Sequence, residues 1–465
     1  MKIPEYPPNL SQLIRADTGD AALREQFKRV FNLLPSEHGK DRDGHYLHWE
    51  RLKRQPLPQG VDTHEDWWLL TKFRRTSLYK PLPLRAKAHT PFVYWLPDCV
   101  QQRLHKLDQQ ASGRVEIPEQ VTNKQSRDRY LVNSLIEEAI KSSQLEGAST
   151  TYPVAKNMLR EGRAPRDRSE QMISNNYRAM AFIREHAGEP LTPALVFELH
   201  AIVTERSLED RAQEGRFRRA DEEIGVYDPR DHSLLHAPPP ADELDARLGA
   251  LCAFANAGLD DDGEFLHPVV RAIALHFMVG YDHPFVDGNG RAARALFYWA
   301  MARHKYWLME YVSISTILKR APAQYARAYL YTEHDDNDLT YFIDYNLRVV
   351  EQAIKALQGY LAKKSREVRR IEALLGDSLF ARTLNHRQIA LLSHAIRNPG
   401  DVYTFESHRQ SHRISYPTAR TDLLELATLR LLEQRKVRNA FVFLALPDIE
   451  GRLLTLRGGN GFPRT

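Results

Sequence analysis

The stretch from His283 to Arg294 brings together side chains that act on phosphates. It reads His-Pro-Phe-Val-Asp-Gly-Asn-Gly-Arg-Ala-Ala-Arg. Gly288 and Gly290 permit a tight turn and let a ligand approach the main chain closely. The helix that the pattern predicts after them would offer unpaired amides and a positive dipole end to that ligand. A nucleotide polyphosphate suits such a site.

The other polar side chains of this stretch indicate metal-assisted attack on a nucleotide phosphate. Arg291 and Arg294 stand three residues apart, so both can add charge on one side of the first helical turn. Asp287 suits phosphates only with a cation between them, and one carboxylate plus phosphate oxygens is the usual Mg²⁺ arrangement. Asn289 supplies an amide donor. His283 titrates near neutral pH and suits a general base.

Each of these residues alone has a simpler interpretation. A histidine beside a proline is commonly a loop residue with a satisfied hydrogen bond, and Gly-Asn-Gly is commonly a tight turn. The density of chemical types within one turn favours an active site. Two helices must hold it: His267 to Gly280 upstream, and the Ala-rich segment from Ala292 to His304 downstream.

The stretch resembles the signature of the Fic family, His-x-Phe-x-Asp/Glu-Gly-Asn-Gly-Arg-x-x-Arg, and matches it at every defined position. The resemblance implies transfer of AMP from ATP to a protein hydroxyl, with release of pyrophosphate. It implies His283 as the base, Asp287 as the Mg²⁺ ligand and Arg294 as the ligand of the γ-phosphate. The remaining phosphate contacts are expected from Gly288, Asn289, Gly290 and Arg291.

A predicted helix at about 127–146 ends in a second motif. Ser142 and Glu146 are four residues apart and project from the same side, and Gly147 follows where a left-handed C-cap is expected. A glutamate at this negative dipole end is poorly placed unless a cation meets it, although a tolerated surface glutamate is the simpler interpretation. Ser142 to Gly147 resembles the Fic inhibitory motif, which implies that Glu146 pairs with Arg294 and competes with the γ-phosphate.

Two short strands are predicted at Glu223 to Tyr227 and at Ser233 to His236. The simpler interpretation is a surface hairpin. In Fic proteins a β-hairpin flap at this place pairs with the main chain of the target, so the resemblance implies Ile224 and Val226 as the docking strand.

The 465 residues carry a net charge of +5, which indicates nucleic acid only weakly. Cys99 and Cys252 are the only cysteines, which argues against a disulfide framework or a zinc site and suits a cytoplasmic protein. No apolar run is long enough for a membrane span, and the N-terminus does not resemble a signal peptide. We therefore expect no membrane partner.

The chain is expected to form three parts: an N-terminal extension at 1–120, whose role the sequence does not reveal, a Fic domain at 121–360, and a linker helix with a further domain at 361–465. Scaffold helices are predicted at Ser169 to His186, Leu195 to Arg206, Gln324 to Glu333 and Leu339 to Gly359.

The last part looks like a winged helix, with three predicted helices followed by a strand at Phe441 to Leu444. Its basic residues Arg413, Arg420, Lys436 and Arg438 could contact a DNA backbone. Winged helices also serve as protein-interaction or dimer modules, so a homodimer is the other expectation.

The sequence thus predicts a mainly α protein with a Fic-type helical core, a β-hairpin flap and a C-terminal winged-helix-like domain. Its predicted function is that of an autoinhibited, Mg²⁺-dependent protein adenylyltransferase that uses ATP and modifies itself and an unknown target. The alternatives are a DNA-binding regulator with a nucleotide-sensing core, and a de-AMPylase in which Glu146 orients a water.

Overall fold

A computed structural model of the chain describes residues 2–9, 21–34, 46–111, 124–222, 224–228, 230–258, 265–375, 384–397, 400–412, 414–437 and 440–458. The chain divides into two compact units, Met1–Leu357 and Gln358–Thr465. Unit 1 therefore spans both the predicted N-terminal extension and the predicted catalytic domain.

Helices dominate unit 1, in agreement with the mainly α prediction. In chain order they are α1 (Ala21–Asn32), α2 (Trp49–Leu52), α3 (His64–Thr76), α4 (Asp98–Ala111), α5 (Lys124–Leu145), α6 (Tyr152–Glu161), α7 (Arg168–Glu185), α8 (Pro193–Thr204), α9 (Leu244–Asn256), α10 (Pro268–Asp282), α11 (Asn289–Arg303), α12 (Ile314–Leu318), α13 (Pro322–His334) and α14 (Thr340–Leu375), the last of which continues into unit 2. Short 3₁₀ turns lie at Arg211–Gln213, Ala241–Glu243 and Trp307–Tyr311.

The helix pair α10 and α11 forms the centre of unit 1. Nearly every residue of α10 is buried, and α11 is buried from Arg291 to Met301. This explains why both segments are largely apolar and why α11 uses alanine where helices pack closely. The loop between them therefore rests on a rigid base.

Capping residues set the starts of two helices in unit 1. The Thr192 hydroxyl accepts a hydrogen bond from Leu195 N at 3.2 Å, and Pro193 begins α8. Asp338 Oδ1 accepts one from Thr340 N at 3.0 Å and so caps α14.

The N-terminal residues join the loop that precedes α14. Strands β1 (Lys80–Arg85) and β2 (Pro91–Tyr94) pair antiparallel, and Val93 exchanges main-chain hydrogen bonds with Asn337 and Leu339. Lys72 of α3 meets Asp335 at 2.7 Å, with both side chains almost fully buried. The N-terminal region therefore packs as part of the same core.

The predicted hairpin is present, with shorter strands than expected. Strand β3 (Val226–Tyr227) pairs antiparallel with β4 (Leu234–His236). Ile224 precedes the paired strand, because Gly225 and the polar turn support only a short ladder. Glu223 and Pro229, which the prediction placed in the strand and the turn, lie outside the described residues.

Unit 2 contains helices and a three-stranded antiparallel sheet of order β5–β7–β6. After the end of α14 its elements are α15 (His386–Arg397), β5 (Val402–Tyr403), α16 (Phe405–His412), α17 (Tyr416–Thr428), β6 (Leu432–Val437), β7 (Ala440–Ala445) and α18 (Ile449–Gly458). Its core includes Leu392, Leu423 and Phe443. Arg413 and Arg438 are outside the described residues.

In the parts of the chain that the structure describes, no helix has the length and apolar character needed to cross a membrane. Cys99 and Cys252 are not joined by a disulfide, and Cys252 is buried.

The buried ion pair between Lys72 and Asp335 gives a test of how firmly the N-terminal region is joined to unit 1. Lys72→Ala would leave the Asp335 carboxylate buried without its ammonium partner, so we expect a loss of about 3–5 kcal/mol in the free energy of unfolding. Urea unfolding followed by tryptophan fluorescence measures this loss. Lys28→Ala, which removes an exposed pair with Glu25, is the matched control and should leave the midpoint unchanged. Equal midpoints for the two variants would contradict the expectation.

Candidate active site

The loop between α10 and α11 carries most of the predicted site residues. His283 ends α10 in the left-handed conformation, with φ of +44°. Gly288 begins α11 with φ of +84°, a conformation in which glycine is favoured. The first hydrogen bond of α11 runs from Ala292 N to Gly288 O at 2.9 Å, so the preceding amides of the first turn have no acceptor within the helix. The turn therefore presents donors to an anion.

The imidazole of His283 is held in one tautomer. Its Nδ1 lies 3.1 Å from the carbonyl oxygen of Gly280. Because a carbonyl oxygen only accepts, Nδ1 of the neutral ring carries the proton and Nε2 keeps its lone pair. Burial lowers the pKa of His283 to about 4, so the ring is neutral at pH 7. A neutral imidazole with a free Nε2 is ready to accept a proton.

Arg294 and the end of α5 meet in the interior. Arg294 is 1% exposed, and its Nη2 donates to Glu146 Oε1 at 2.9 Å. Its Nε donates to Ser142 Oγ at 2.8 Å, and Nη2 also lies 3.2 Å from Ser142 O. Gly147 follows Glu146 with φ of +95° and turns the chain away after the helix. Ser142 and Glu146 of the predicted inhibitory motif thus meet at one guanidinium, and Gly147 ends the segment that carries them.

The Glu146 carboxylate also covers the glycine turn. A Cβ added at Gly290 would lie 2.2 Å from Glu146 Oε1 and 3.1 Å from Arg294 Nη1. The carboxylate therefore stands directly against the main chain of the anion-binding turn. Ordinary contact distances leave no room there for a phosphate group and this carboxylate together.

Two side chains that were predicted to hold phosphates contact protein atoms in the structure. Asn289 accepts from Phe285 N at 3.0 Å and donates to Phe285 O at 2.8 Å, so both ends of its amide brace the loop. Arg291 is fully buried and donates from Nη1 to Val203 O at 2.8 Å. Both side chains therefore support the turn from beneath.

Asp287 is the most accessible carboxylate of the loop, with a side chain 38% exposed. One of its oxygens is 3.5 Å from Arg291 Nη2 and accepts from Gly288 N, and the other is 3.6 Å from Arg168 Nη2. Among the described residues no cluster of three or more His, Cys, Asp or Glu side chains could hold a metal. A single accessible carboxylate fits Mg²⁺ bound mainly by phosphate oxygens and water.

A cavity of about 190 Å³ opens beside this loop. Glu146, His283, Gly290 and Arg294 line one side of it. The other side is formed by apolar and aromatic residues of the hairpin and of α13: Val226, Leu235, Tyr325, Tyr329 and Leu330. A polar end and an apolar end within one cavity match the phosphate and base portions of a nucleotide.

Several residues that position the site were missed by reasoning from the sequence. His200 Nε2 lies 2.9 Å from Asp287 O, and its Nδ1 accepts from Gly215 N at 3.0 Å. The Arg218 side chain donates to His283 O at 2.8 Å. A helical histidine and an arginine after a glycine are common, so no local signal distinguishes them. Tyr325 and Tyr329 of α13, which line the cavity, lie in a segment that the sequence predicted only as a scaffold helix.

Glu138 anchors the helix that carries Glu146. It is buried, and it accepts hydrogen bonds from the Ser313 hydroxyl at 2.8 Å, from Ser315 N at 3.1 Å and from the Tyr298 hydroxyl at 3.1 Å. Glu138 lies eight residues before Glu146 and so on nearly the same face of α5. The hydrogen bonds of Glu138 therefore hold α5 in place and so fix the position of Glu146.

The hairpin stands at the rim of the cavity. Val226 lines the cavity, whereas Ile224 does not. His236 ends β4, with Nε2 2.7 Å from Tyr281 O and Nδ1 2.7 Å from Glu333 Oε2. In the described part of the chain β3 pairs with β4 alone, which leaves its other edge open to a further strand.

Residues 190–301 match the Fic/DOC family. The chain is 26% identical over 233 residues to a protein of Nematostella vectensis named protein adenylyltransferase Fic. The aligned residues make up 48% of this chain and 50% of that protein. A protein of the same name from Drosophila grimshawi is 25% identical over 210 residues, covering 44% of this chain and 40% of that protein. The chain thus spans half or less of the length of these relatives.

Among solved structures, the chain is similar to a Fic family protein from Desulfovibrio desulfuricans G20. The TM-score is 0.47 and the identity 19%, over 74% of this chain and 94% of that chain. The matched family region, 190–301, contains the α10–α11 loop and the hairpin. Glu146 and α13 lie outside that region, so their place at the site rests on the geometry described above.

The bracing role of Asn289 can be tested through the stability of the loop. Asn289→Ala would leave the buried amide and carbonyl of Phe285 without partners, so we expect a loss of about 2–4 kcal/mol in the free energy that protects this loop from opening. Hydrogen exchange of the Phe285 amide measures it. Asn133→Ala, which removes an exposed contact with Arg160, is the control. Unchanged protection of Phe285 would show that the loop does not depend on this clamp.

Proposed function

Since residues 190–301 of this chain form a Fic/DOC family domain, we propose that the protein transfers AMP from ATP to a hydroxyl side chain of a protein and releases pyrophosphate. One observation carries the proposal: the proton-accepting Nε2 of His283, the amides of the glycine turn and Arg294 all border one cavity of nucleotide-like polarity.

The proposed step is a displacement at the α-phosphorus of ATP. The target hydroxyl oxygen bonds to the α-phosphorus while His283 Nε2 takes its proton, and the bond from the α-phosphorus to the bridging oxygen breaks. Pyrophosphate leaves with that oxygen. The amides of the first turn of α11 hold the phosphate oxygens, and their positions are fixed before the substrate arrives, which lowers the cost of reorganisation.

We propose Asp287 as the residue that holds Mg²⁺, because it is the exposed carboxylate at the anion site. Mg²⁺ would neutralise phosphate charge that the arginines do not reach.

Glu146 makes the protein autoinhibited in this proposal. Its carboxylate takes the guanidinium of Arg294 and the space over Gly290 that a γ-phosphate would need. A charge-assisted hydrogen bond to a buried arginine is among the stronger ones in proteins. ATP that enters the cavity is then held away from the geometry for attack.

The open edge of β3 supports target docking by strand addition, with Val226 at the rim of the cavity and Ile224 leading into the strand. Pairing through the main chain would bring a target hydroxyl towards His283 while reading few side chains.

We also propose that unit 2 is a winged-helix domain. Its element order is helix–strand–helix–helix–strand–strand, with the sheet order β5–β7–β6. Ser415 caps α17 by accepting from Thr418 N at 3.3 Å. Arg420 of α17 and Lys436 of β6 are exposed, while Arg435 is paired with Glu433 at 2.8 Å. Arg420 and Lys436 are thus exposed basic groups that a partner could contact.

Removal of the Glu146 carboxylate tests the proposal directly. We expect Glu146→Gly to raise transfer of label from α-labelled ATP to protein at least about tenfold, because Arg294 is released for the γ-phosphate. Self-labelling, measured by gel autoradiography, is the first readout.

The controls separate chemistry from folding. Glu146→Gln keeps the shape and loses the charge, and should activate less. Adding His283→Ala to Glu146→Gly should abolish labelling, because the substitution removes the proposed base. Labelling that persists without His283, or equal rates for Glu146→Gly and the parent, would contradict the proposal.

The low pKa of His283 predicts an unusual pH dependence. Burial is the main cause, and the nearby Glu146 charge raises this pKa, so Glu146→Gly should lower it further below about 4. We expect kcat/KM of the Glu146→Gly variant to stay within about twofold from pH 8 to pH 5.5, because the base remains neutral throughout. An ordinary histidine would lose activity about tenfold per pH unit below 6.5. A fall with midpoint near 6.5, at unchanged circular dichroism, would contradict the low pKa.

A further inference from the structure

A second cavity, of about 120 Å³, lies within unit 1 and shares no lining residue with the cavity beside the glycine turn. Its walls come from the chain at the start of α2 and from α13 and α14. Arg51, Arg327 and Arg348 line it, together with a single carboxylate, that of Asp344. The three cations outnumber the anion.

The acidic groups near this cavity are already paired. Asp344 accepts from Arg348 Nη2 at 2.7 Å and lies 3.3 Å from Arg103 Nη1. Glu50, which accepts from the Tyr331 hydroxyl at 3.2 Å at the rim, pairs with Arg54 at 2.9 Å.

Arg51 and Arg327 stand apart from these pairs. Within the described residues neither forms an ion pair, and the structure gives Arg51 only a contact with the Tyr331 phenol. Two guanidinium groups at this cavity are therefore without a counter-charge.

Two buried donors at the same cavity also lack acceptors. His48 is 1% exposed, and its Nδ1 accepts from Glu50 N at 3.2 Å. The neutral ring therefore carries its proton on Nε2, which is buried and has no hydrogen-bond partner. Arg327 Nε is likewise buried without a partner. Buried donors are nearly always satisfied in proteins, so a pair of them at one cavity indicates an acceptor that the described residues do not supply.

We propose that this cavity binds a small phosphomonoester. The free guanidinium groups of Arg51 and Arg327 and the Nε2–H of His48 are donors of the kind that bind phosphate oxygens. Tyr331, which stacks on His48 at 4.2 Å, and Tyr345 give aromatic walls for a small organic part. The cavity is smaller than the proposed nucleotide cavity, which favours a ligand the size of a sugar phosphate over a nucleotide triphosphate.

Isothermal titration calorimetry of the full chain with ribose 5-phosphate and with inorganic phosphate tests this site. We expect saturable binding, tighter for ribose 5-phosphate, that weakens at least about tenfold in Arg327→Gln and in Arg51→Gln. Arg320→Gln removes the same charge from an exposed residue outside the cavity and should bind as the parent does. Ligand that binds instead at the glycine turn would be insensitive to Arg51→Gln and Arg327→Gln, so these variants separate the two sites.

Several results would overturn the proposal. They are the absence of saturable binding, binding that survives both substitutions, and equal weakening by Arg320→Gln. Equal affinity for the two probes would identify a plain phosphate site and overturn the assignment to a phosphomonoester. Arg51 is exposed on a short helix, so we expect Arg51→Gln to fold. If thermal unfolding shows that Arg327→Gln does not fold, the affinity of Arg51→Gln for ribose 5-phosphate tests the proposal.

Discussion

The guanidinium of Arg294 is a full charge buried at the centre of a helical core, and the site is built around the need to compensate it. A buried cation is costly unless oxygen atoms surround it. In this structure Ser142 and Glu146 supply those atoms, and the positive field at the start of α11 adds to the demand. Any anion that binds Arg294 must stabilise its charge at least as well as Glu146 does. Competition between carboxylate and phosphate is therefore a consequence of burial.

The loop between α10 and α11 also depends on polar side chains that bind buried groups. Glycine residues leave the main chain bare, so the first turn of α11 has donors but no side chains to hold it in place. The side chains that could have reached the ligand are used underneath: Asn289 clamps Phe285, and Arg291 reaches Val203. His200 adds a bond to the Asp287 carbonyl from α8. The anion site is thus made of main chain, and its shape is fixed by polar side chains that point away from it.

Much of this could be read from the sequence, where the information is local. The helices around His283, the cap at Thr192 and the spacing of Ser142 and Glu146 each follow from neighbouring residue types. The short ladder at Val226 and the exposed edge strand Leu432–Val437 did not emerge, because a polar strand has no alternation of buried and exposed residues. His200, Arg218 and Glu138 were missed for another reason: their partners are 65 to 177 residues away in the chain. Long-range polar contacts leave no periodic pattern.

Within α5, Glu138 is held more firmly than Glu146, the residue that follows the last residue of the helix. This difference bears on how the proposed inhibition would be relieved. Glu138 is 2% exposed and accepts several hydrogen bonds from α12 and from Tyr298, so moving it would strand a buried carboxylate. The Glu146 side chain is 29% exposed, and among the described residues its ion pair is with Arg294. Because the Glu146 carboxylate is partly exposed, water can solvate it when its side chain rotates outward. A shift of the whole helix would instead break the hydrogen bonds of Glu138. These contacts therefore favour rotation of the Glu146 side chain away from Arg294 while α5 stays in place.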